Sequence, residues 1–227
     1  IKDQDEIACL RQAQRIAEEA FDALLGQIKP GMQEKELAAL LEYEMAKRGS
    51  ERPSFDTILI SGAKTSMPHG MPDTKPVAAG EFILVDFGAV VNGYHSDMTR
   101  TFALGSATER MRTVYSTVLA AQETGIRMLR AGVSCDQPHL AAHQVIRDAG
   151  FGDCFGHALG HCVGLEIHES PALSPRAKQH LEPGMVITVE PGIYLPGEFG
   201  VRIEDLLLIQ PDGAEDLTHT PKKLLIL

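Results

Sequence analysis

Positive charge is scarce in this sequence. Lys and Arg total 21 against 31 Asp and Glu in 227 residues, a formal charge of −10. No block of basic residues could neutralise phosphates in register, so nucleic acid is not an expected partner. Long apolar runs are missing as well. None approaches the ~20 residues that span a bilayer, and the opening IKDQDEIACLRQAQRIAEEA has neither a basic n-region nor a continuous apolar h-region, which argues against a membrane segment or a signal peptide. The first residue is Ile rather than Met, which leaves targeting open. Cysteine is sparse too: Cys9, Cys135, Cys154 and Cys162 form no CxxC pair and are too few for a disulfide framework. They are expected to be reduced thiols, buried as small apolar residues, in a cytoplasmic protein. What is present, 44% apolar and 23% charged residues, suffices for one sizeable core or two small ones packed together.

Ile7, Leu10, Ala13, Ala17, Phe21 and Leu24 recur at spacings of three and four, predicting a first helix that ends near Gly26. Leu37, Leu40, Leu41 and Met45 predict a second, with Gly49 a stop after Lys47 and Arg48. From about 55 to 105 the pattern turns to strand-like runs, TILIS, EFILVDFGAVV and YHSDMTRTFAL, divided by Pro and Gly clusters. The order then repeats. Met111, Val114, Val118, Ala121, Gly125 and Met128 mark a third helix, 138–149 a fourth, and β-like runs fill 155–208.

This repetition suggests an internal duplication, and the two halves match in sequence. Gly80-Glu-Phe-Ile-Leu-Val-Asp86-Phe-Gly88 aligns with Gly184-Met-Val-Ile-Thr-Val-Glu190-Pro-Gly192 at an offset of 104, and Gly93-Tyr-His-Ser-Asp97 with Gly200-Val-Arg-Ile-Glu204 at 107. Each half therefore contributes two carboxylates from equivalent strands. The expected fold class is α+β: helix-helix-strands halves of about 1–105 and 106–227 in one domain, with the helices outside an antiparallel sheet.

Asn92-Gly93 is the strongest short signal for a two-residue type I′ hairpin. If 91 pairs with 94, then 88 pairs with 97, and Asp86 and Asp97 share a face as diagonal neighbours. Asp86 and Glu190 both end apolar runs that should be buried, where an unpaired charge is costly. Four carboxylates aimed into one space repel and need cations. A second cluster, FGHALGHCVGLEIHESP, holds His157, His161 and His168 among glycines that disfavour a helix. An HExxH zinc helix is excluded because Ala158 stands where the Glu should be and Gly160 interrupts the turn; a loop running into a strand is expected. His139 and His143 sit at i,i+4 on the fourth helix, but no acid at a suitable spacing joins them, and they are expected to face the surface. Carboxylates plus one or two imidazoles suit hard or borderline divalent ions, and bridging carboxylates hold two ions ~3.5–4 Å apart.

Asp86, Asp97, His161, Glu190 and Glu204, in that order and with these neighbours, resemble the ligand pattern of the pita-bread metallopeptidases: Xaa-Pro aminopeptidases, prolidases and methionine aminopeptidases. The resemblance runs from the first helix to the last strand. It implies the pita-bread fold, a curved antiparallel sheet built from the two halves. It also implies two divalent ions, manganese or cobalt first and zinc or iron next, with Asp97 and Glu204 bridging, Asp86 completing one shell, and His161 with Glu190 the other. His157 before the ligand histidine, GLEIHESP after it, EPGIY at Glu190–Tyr194 and Arg202 resemble the Xaa-Pro branch. The implied reaction is hydrolysis of the bond before proline by a metal-bridging hydroxide. Glu190 would shuttle the proton, His168 would donate to the oxyanion, and His69 in SMPHG would be the first-half substrate histidine. His157 and Tyr194 would form the proline pocket, and Arg202 would orient an Asp or a substrate carboxylate. The implied partners are proline-containing dipeptides or short peptides, and a homodimer is allowed without being required. The compact prokaryotic prolidases and aminopeptidases that it resembles carry an N-terminal domain before the metal-binding one, and this chain is expected to begin where their second domain normally begins.

Other readings stay open at this stage: a methionine aminopeptidase, another small-molecule hydrolase or a lyase on the same fold, or a non-catalytic interaction module. Creatinase-like enzymes and such modules lose ligands, whereas all five are present here.

Overall fold

The computed structural model describes residues 1–227. Two helices come first, α1 (Gln4–Leu25) and α2 (Glu34–Lys47). Asp3 caps α1 by accepting from the N–H groups of Asp5 and Glu6, while the Glu6 carboxylate takes the N–H of Asp3, so donors that the first turn leaves unpaired are satisfied reciprocally. The predicted stripe of α1 is buried along its whole length. On α2, Leu37, Leu41 and Met45 are buried, but Leu40 is only half-buried and Ala38 faces the core instead. Gly49 ends the turn at φ 101°, where an L side chain would be strained.

Strands β1 (Ile58–Ser61), β2 (Phe82–Phe87), β3 (Val90–Val91), β4 (Tyr94–His95) and β5 (Met98–Ala103) follow, then helices α3 (Glu109–Arg127) and α4 (Asp136–Asp148). The chain finishes with β6 (Gly160–Cys162), β7 (Glu169–Leu173), β8 (Val186–Val189), β9 (Gly192–Leu195), β10 (Phe199–Arg202), β11 (Asp205–Gln210) and β12 (Gly213–Asp216). Two departures from expectation are local. Helix α4 starts at Asp136 because Pro138 is tolerated inside a first turn. The stretch 174–185 holds no strand beyond one bridge from His180 to Ser134, since Pro175, Pro183 and Gly184 interrupt it.

Helix-helix-strands therefore occurs twice, and the register repeats with it. In the first half one register runs from Val91↔Tyr94 at the hairpin through Phe87↔Met98 and Asp86↔Thr99, as the Asn92-Gly93 argument predicts. Asn92 and Gly93 take φ 51° and φ 80°. In the second half one register joins Ile193↔Val201, Gly192↔Arg202 and Val189↔Asp205. The equivalent strands β2 and β8, and β5 and β11, start 104 and 107 residues apart. All named strand pairs are antiparallel.

Each half packs helices on its own strands. Phe21, Leu24 and Leu41 meet Phe87 and Phe102 in the first core; Val114 and Val118 meet Leu159, Ile187 and Leu207 in the second. Burial of each such side chain contributes ~1.5–3 kcal/mol. The halves are tied along β5, where Thr99 C=O accepts from Glu204 N–H at 3.1 Å and Thr101 Oγ1 both accepts from Arg202 N–H and donates to Arg202 C=O. All four cysteines are free thiols. Cys135 and Cys162 are buried, whereas Cys9 and Cys154 are only half-buried. No helix is long and apolar enough to cross a membrane.

Candidate metal centre and active-site cavity

Asp86 is the next-to-last residue of β2 and Glu190 follows β8, while Asp97 precedes β5 and Glu204 precedes β11. The two hairpins bring these acids to one cavity of about 770 Å³. Carrying the second-half register one residue beyond Val189↔Asp205 sets Glu190 opposite Glu204. His161, on β6, completes the group. Two glycines let the chains approach this closely. A Cβ on Gly88 would lie 1.9 Å from Ser96 O, and one on Gly160 the same distance from Thr188 O.

Ligand atoms of Asp97, His161 and Glu204 lie within 4.8 Å of one another. Asp97 and Glu204 are 4% and 1% exposed, and His161 Nε2 is 3.5 Å from both Asp97 Oδ2 and Glu190 Oε1. Burial, then the charges of neighbouring acids, pushes the carboxyls of Asp97 and Glu204 well above the usual range. Burial likewise raises Glu190 to about 8 against the pull of Arg202. The imidazole of His161 is driven by burial to about 4, so it is neutral at pH 7. Its Nδ1 lies 3.1 Å from Cys162 C=O, which places its one proton there and turns the Nε2 lone pair toward the acids.

A lone pair facing carboxylate oxygens at 3.5 Å is repulsive unless a proton or a cation lies between. Asp86 Oδ1 is buried without a partner, although Oδ2 accepts from Arg202 Nη2 at 2.7 Å. Oxygen donors in excess, one neutral imidazole and an orphaned buried oxygen fit hard or borderline divalent ions.

Of the other predicted residues, His69, His157, His168 and Arg202 line the same cavity. His69 and His168 are exposed at its mouth, and the His168 ring centroid stands 4.4 Å from that of His161. Tyr194 is the exception. It does not line the cavity but lies behind it, 7% exposed, because its hydroxyl accepts from Arg202 Nη1 at 2.8 Å and reaches His157 Nε2 at 2.9 Å. His157 is lowered by burial to about 4. Its Nδ1–H goes to Ala158 C=O at 2.8 Å, so the Tyr194 hydroxyl donates to Nε2. The reading of His139 and His143 as surface groups also needs correcting: His139 is 6% exposed, stacked on His143 with Phe155 tilted against both rings, since Pro138, Ala142 and Ile146 turn that face of α4 inward.

Several supporting residues escaped the sequence reading. Thr99 Oγ1 donates to Glu204 Oε2 at 2.7 Å and accepts from Arg202 Nε at 3.1 Å. Thr188 Oγ1 accepts from His161 N–H at 3.1 Å and donates toward Glu190 Oε1 at 3.4 Å. Arg100, 3% exposed, donates to Glu204 C=O and to Asp205. Glu34 is fully buried, holding Ser61 and Lys64 at the root of the segment that carries His69. Strand parity could have found Thr99, two residues from Asp97 and directly across from Asp86.

The pattern of metallopeptidase family M24 matches residues 8–211. The chain is 44% identical over 225 residues to the Xaa-Pro dipeptidase of Pyrococcus furiosus, covering 99% of the chain and 65% of that protein. It superposes on the X-Pro aminopeptidase of Thermotoga maritima with a TM-score of 0.98 at 44% identity, covering 100% of the chain and 64% of that structure. The Xaa-Pro dipeptidase of Bacillus anthracis gives 0.99 at 44% identity with the same coverage. The chain thus spans a little under two thirds of these relatives' length.

Proposed function

The chain belongs to metallopeptidase family M24, and from that premise we propose that residues 1–227 form one catalytic domain that hydrolyses the peptide bond before proline. The observation that carries this reading is the convergence of Asp86, Asp97, His161, Glu190 and Glu204, drawn from both halves, in one cavity whose rim and wall carry His69, His157 and His168. The names of the relatives, Xaa-Pro dipeptidase and X-Pro aminopeptidase, support proline as the residue after the cut.

Asp97 and Glu204 would hold two ions jointly, Asp86 would complete one set of ligands, and His161 with Glu190 the other. Bound there, manganese or cobalt, with zinc or iron as alternatives, would acidify water and polarise the scissile carbonyl. The remaining work falls to the chain itself. Glu190 accepts a proton at a carboxylate oxygen and delivers it to the proline nitrogen as the bond breaks, a role suited to a positioned carboxylate. His168 donates a ring N–H to the oxygen on which negative charge develops. His157, locked by Ala158 and Tyr194, offers a fixed wall to the pyrrolidine ring, and Arg202 holds Asp86 through its planar fork. His69 contacts substrate from the rim.

The test is hydrolysis of Ala-Pro-Pro and Ala-Pro against Ala-Ala at equal manganese or cobalt loading. Proline substrates should be cleaved and Ala-Ala should lag by at least about tenfold in kcat/KM, the order of discrimination that pocket shape supplies. Equal rates would remove proline from the reading and leave a general hydrolase.

A further inference from the structure

The cavity's one arginine is fully engaged. Among the residues lining it there is no lysine, and the arginine is Arg202. Its side chain is 4% exposed. It donates to Asp86 Oδ2, to the Tyr194 hydroxyl, to Thr99 Oγ1 and, at 3.3 Å, to Pro68 C=O. Lys2 pairs with Glu169 on the cavity wall at 2.8 Å and is itself 8% exposed. Among the exposed lining side chains the one permanent charge is an acid, Asp56. His69 and His168 offer ring N–H groups but no permanent charge.

We propose that this site takes peptides of three residues or more, in which the proline is followed by an amide, in preference to free Xaa-Pro dipeptides. The proposal rests on the proline-directed reading above and narrows its substrate class. In a dipeptide the carboxylate sits on the proline ring itself, next to the bond that breaks, so it must enter the cavity with the scissile group. There it meets Asp86, Asp97, Glu190 and Glu204, whose charges match those of any ions they hold, and finds no unengaged cation among the side chains of residues 1–227 that line the cavity. A carboxylate taken out of water without a partner is strongly disfavoured. A neutral amide carries no such penalty, and an open cavity of about 770 Å³ leaves room for residues beyond the proline. The free amino end common to all these substrates is not disadvantaged, because the wall is acidic.

The experiment compares kcat/KM for Ala-Pro, Ala-Pro-NH2 and Ala-Pro-Ala, with Ala-Ala-Ala as reference, on the manganese-loaded protein. Ala-Pro-NH2 and Ala-Pro-Ala should both exceed Ala-Pro by about tenfold or more, with most of the difference in KM, tenfold being ~1.4 kcal/mol. Ala-Pro equal to or better than Ala-Pro-NH2, with both proline substrates well cleaved, would overturn the inference and leave the proline reading intact. Ala-Pro-Ala fast with Ala-Pro-NH2 as slow as Ala-Pro would overturn it too, because length and not charge would then decide. Ala-Ala-Ala cleaved as well as Ala-Pro-Ala would instead bring down the reading on which it rests, and the inference with it.

Discussion

The hydroxyl of Thr99 lies 2.7 Å from Oε2 of Glu204, and it can point its single proton nowhere else. Its other neighbour, Arg202 Nε at 3.1 Å, is a donor, so Thr99 must accept there and donate to Glu204. One guanidinium is thereby linked to Asp86 directly, to Glu204 through Thr99 and to His157 through Tyr194. Acids from the two halves are held in one relative orientation by a group that is not itself a proposed ion ligand.

Thr99→Val keeps the shape and removes the donor. Loss of a hydrogen bond to a charged group costs ~1.5–3 kcal/mol, and loss of an outer partner of a metal ligand typically lowers metal affinity ~10–100-fold. Titration calorimetry with Mn²⁺ should show that weakening in Thr99→Val and near-normal affinity in Thr99→Ser. Unchanged affinity in the valine variant would mean that the hydroxyl does not set Glu204.

The close approaches at Gly88 and Gly160 admit no side chain. In both cases the obstructing atom is a backbone oxygen 1.9 Å from the added Cβ, so the strand and not a rotamer must move. Gly160→Ala should displace His161 or β8, and Gly88→Ala should part Asp86 from Asp97. Either should lower Tm by several degrees and reduce bound manganese measured by elemental analysis. Gly213→Ala, where the Cβ meets nothing within 4 Å, should do neither.

Much of this was legible beforehand because two periodicities and one duplication constrain each other. The Asn92-Gly93 turn gives a register, the register gives the face shared by Asp86 and Asp97, and the offsets of 104 and 107 carry the argument to Glu190 and Glu204. Residues that answer to three-dimensional proximity were not legible. Glu34 looks like an ordinary helix-start acid, and only the fold shows it buried under Ser61 and Lys64. Tyr194 reads as a pocket aromatic, yet the phenol must turn inward to reach Arg202. His139 misled for a similar reason, since α4 packs against Phe155 on a face that its polar neighbours do not advertise.

The clustered acids make the metal-free protein sensitive to alkali. The carboxyl of Glu190 is raised to about 8 in the folded state, and Asp97 and Glu204 well above their ordinary values. A carboxyl raised by folding contributes stability that is complete below its ordinary pKa and is lost as pH rises through the folded value. His157 and His161, lowered from 6.5 to about 4, act in the opposite sense. Their contribution is present above 6.5 and lost on acidification. Between pH 7 and pH 9 the histidine contribution is already complete, and the acids dominate the slope. In chelator, Tm should fall across that window, and the stabilisation gained on adding Mn²⁺ should grow with pH. A flat or rising Tm in chelator would refute the assignment.

His168 and His157 flank the same ligand but stand in different surroundings, and their alanine variants should differ in kind. His168 is exposed, its ring against that of His161, free to donate to an oxygen that becomes charged during the reaction. Removing such a donor typically costs ~10²–10³ in kcat. Metal content should not change, because the ring holds no ion in this arrangement. His157 is a neutral ring with both nitrogens already engaged by Ala158 and Tyr194, so it can offer substrate a surface but no proton. Its loss should raise KM for Ala-Pro-Ala more than for Ala-Ala-Ala and leave kcat nearly unchanged, the signature of binding shared by ground and transition states. Steady-state kinetics on both variants at saturating Mn²⁺ separates the two roles. A His157→Ala enzyme that lost kcat about a hundredfold at normal KM would show that this ring acts on the reacting atoms.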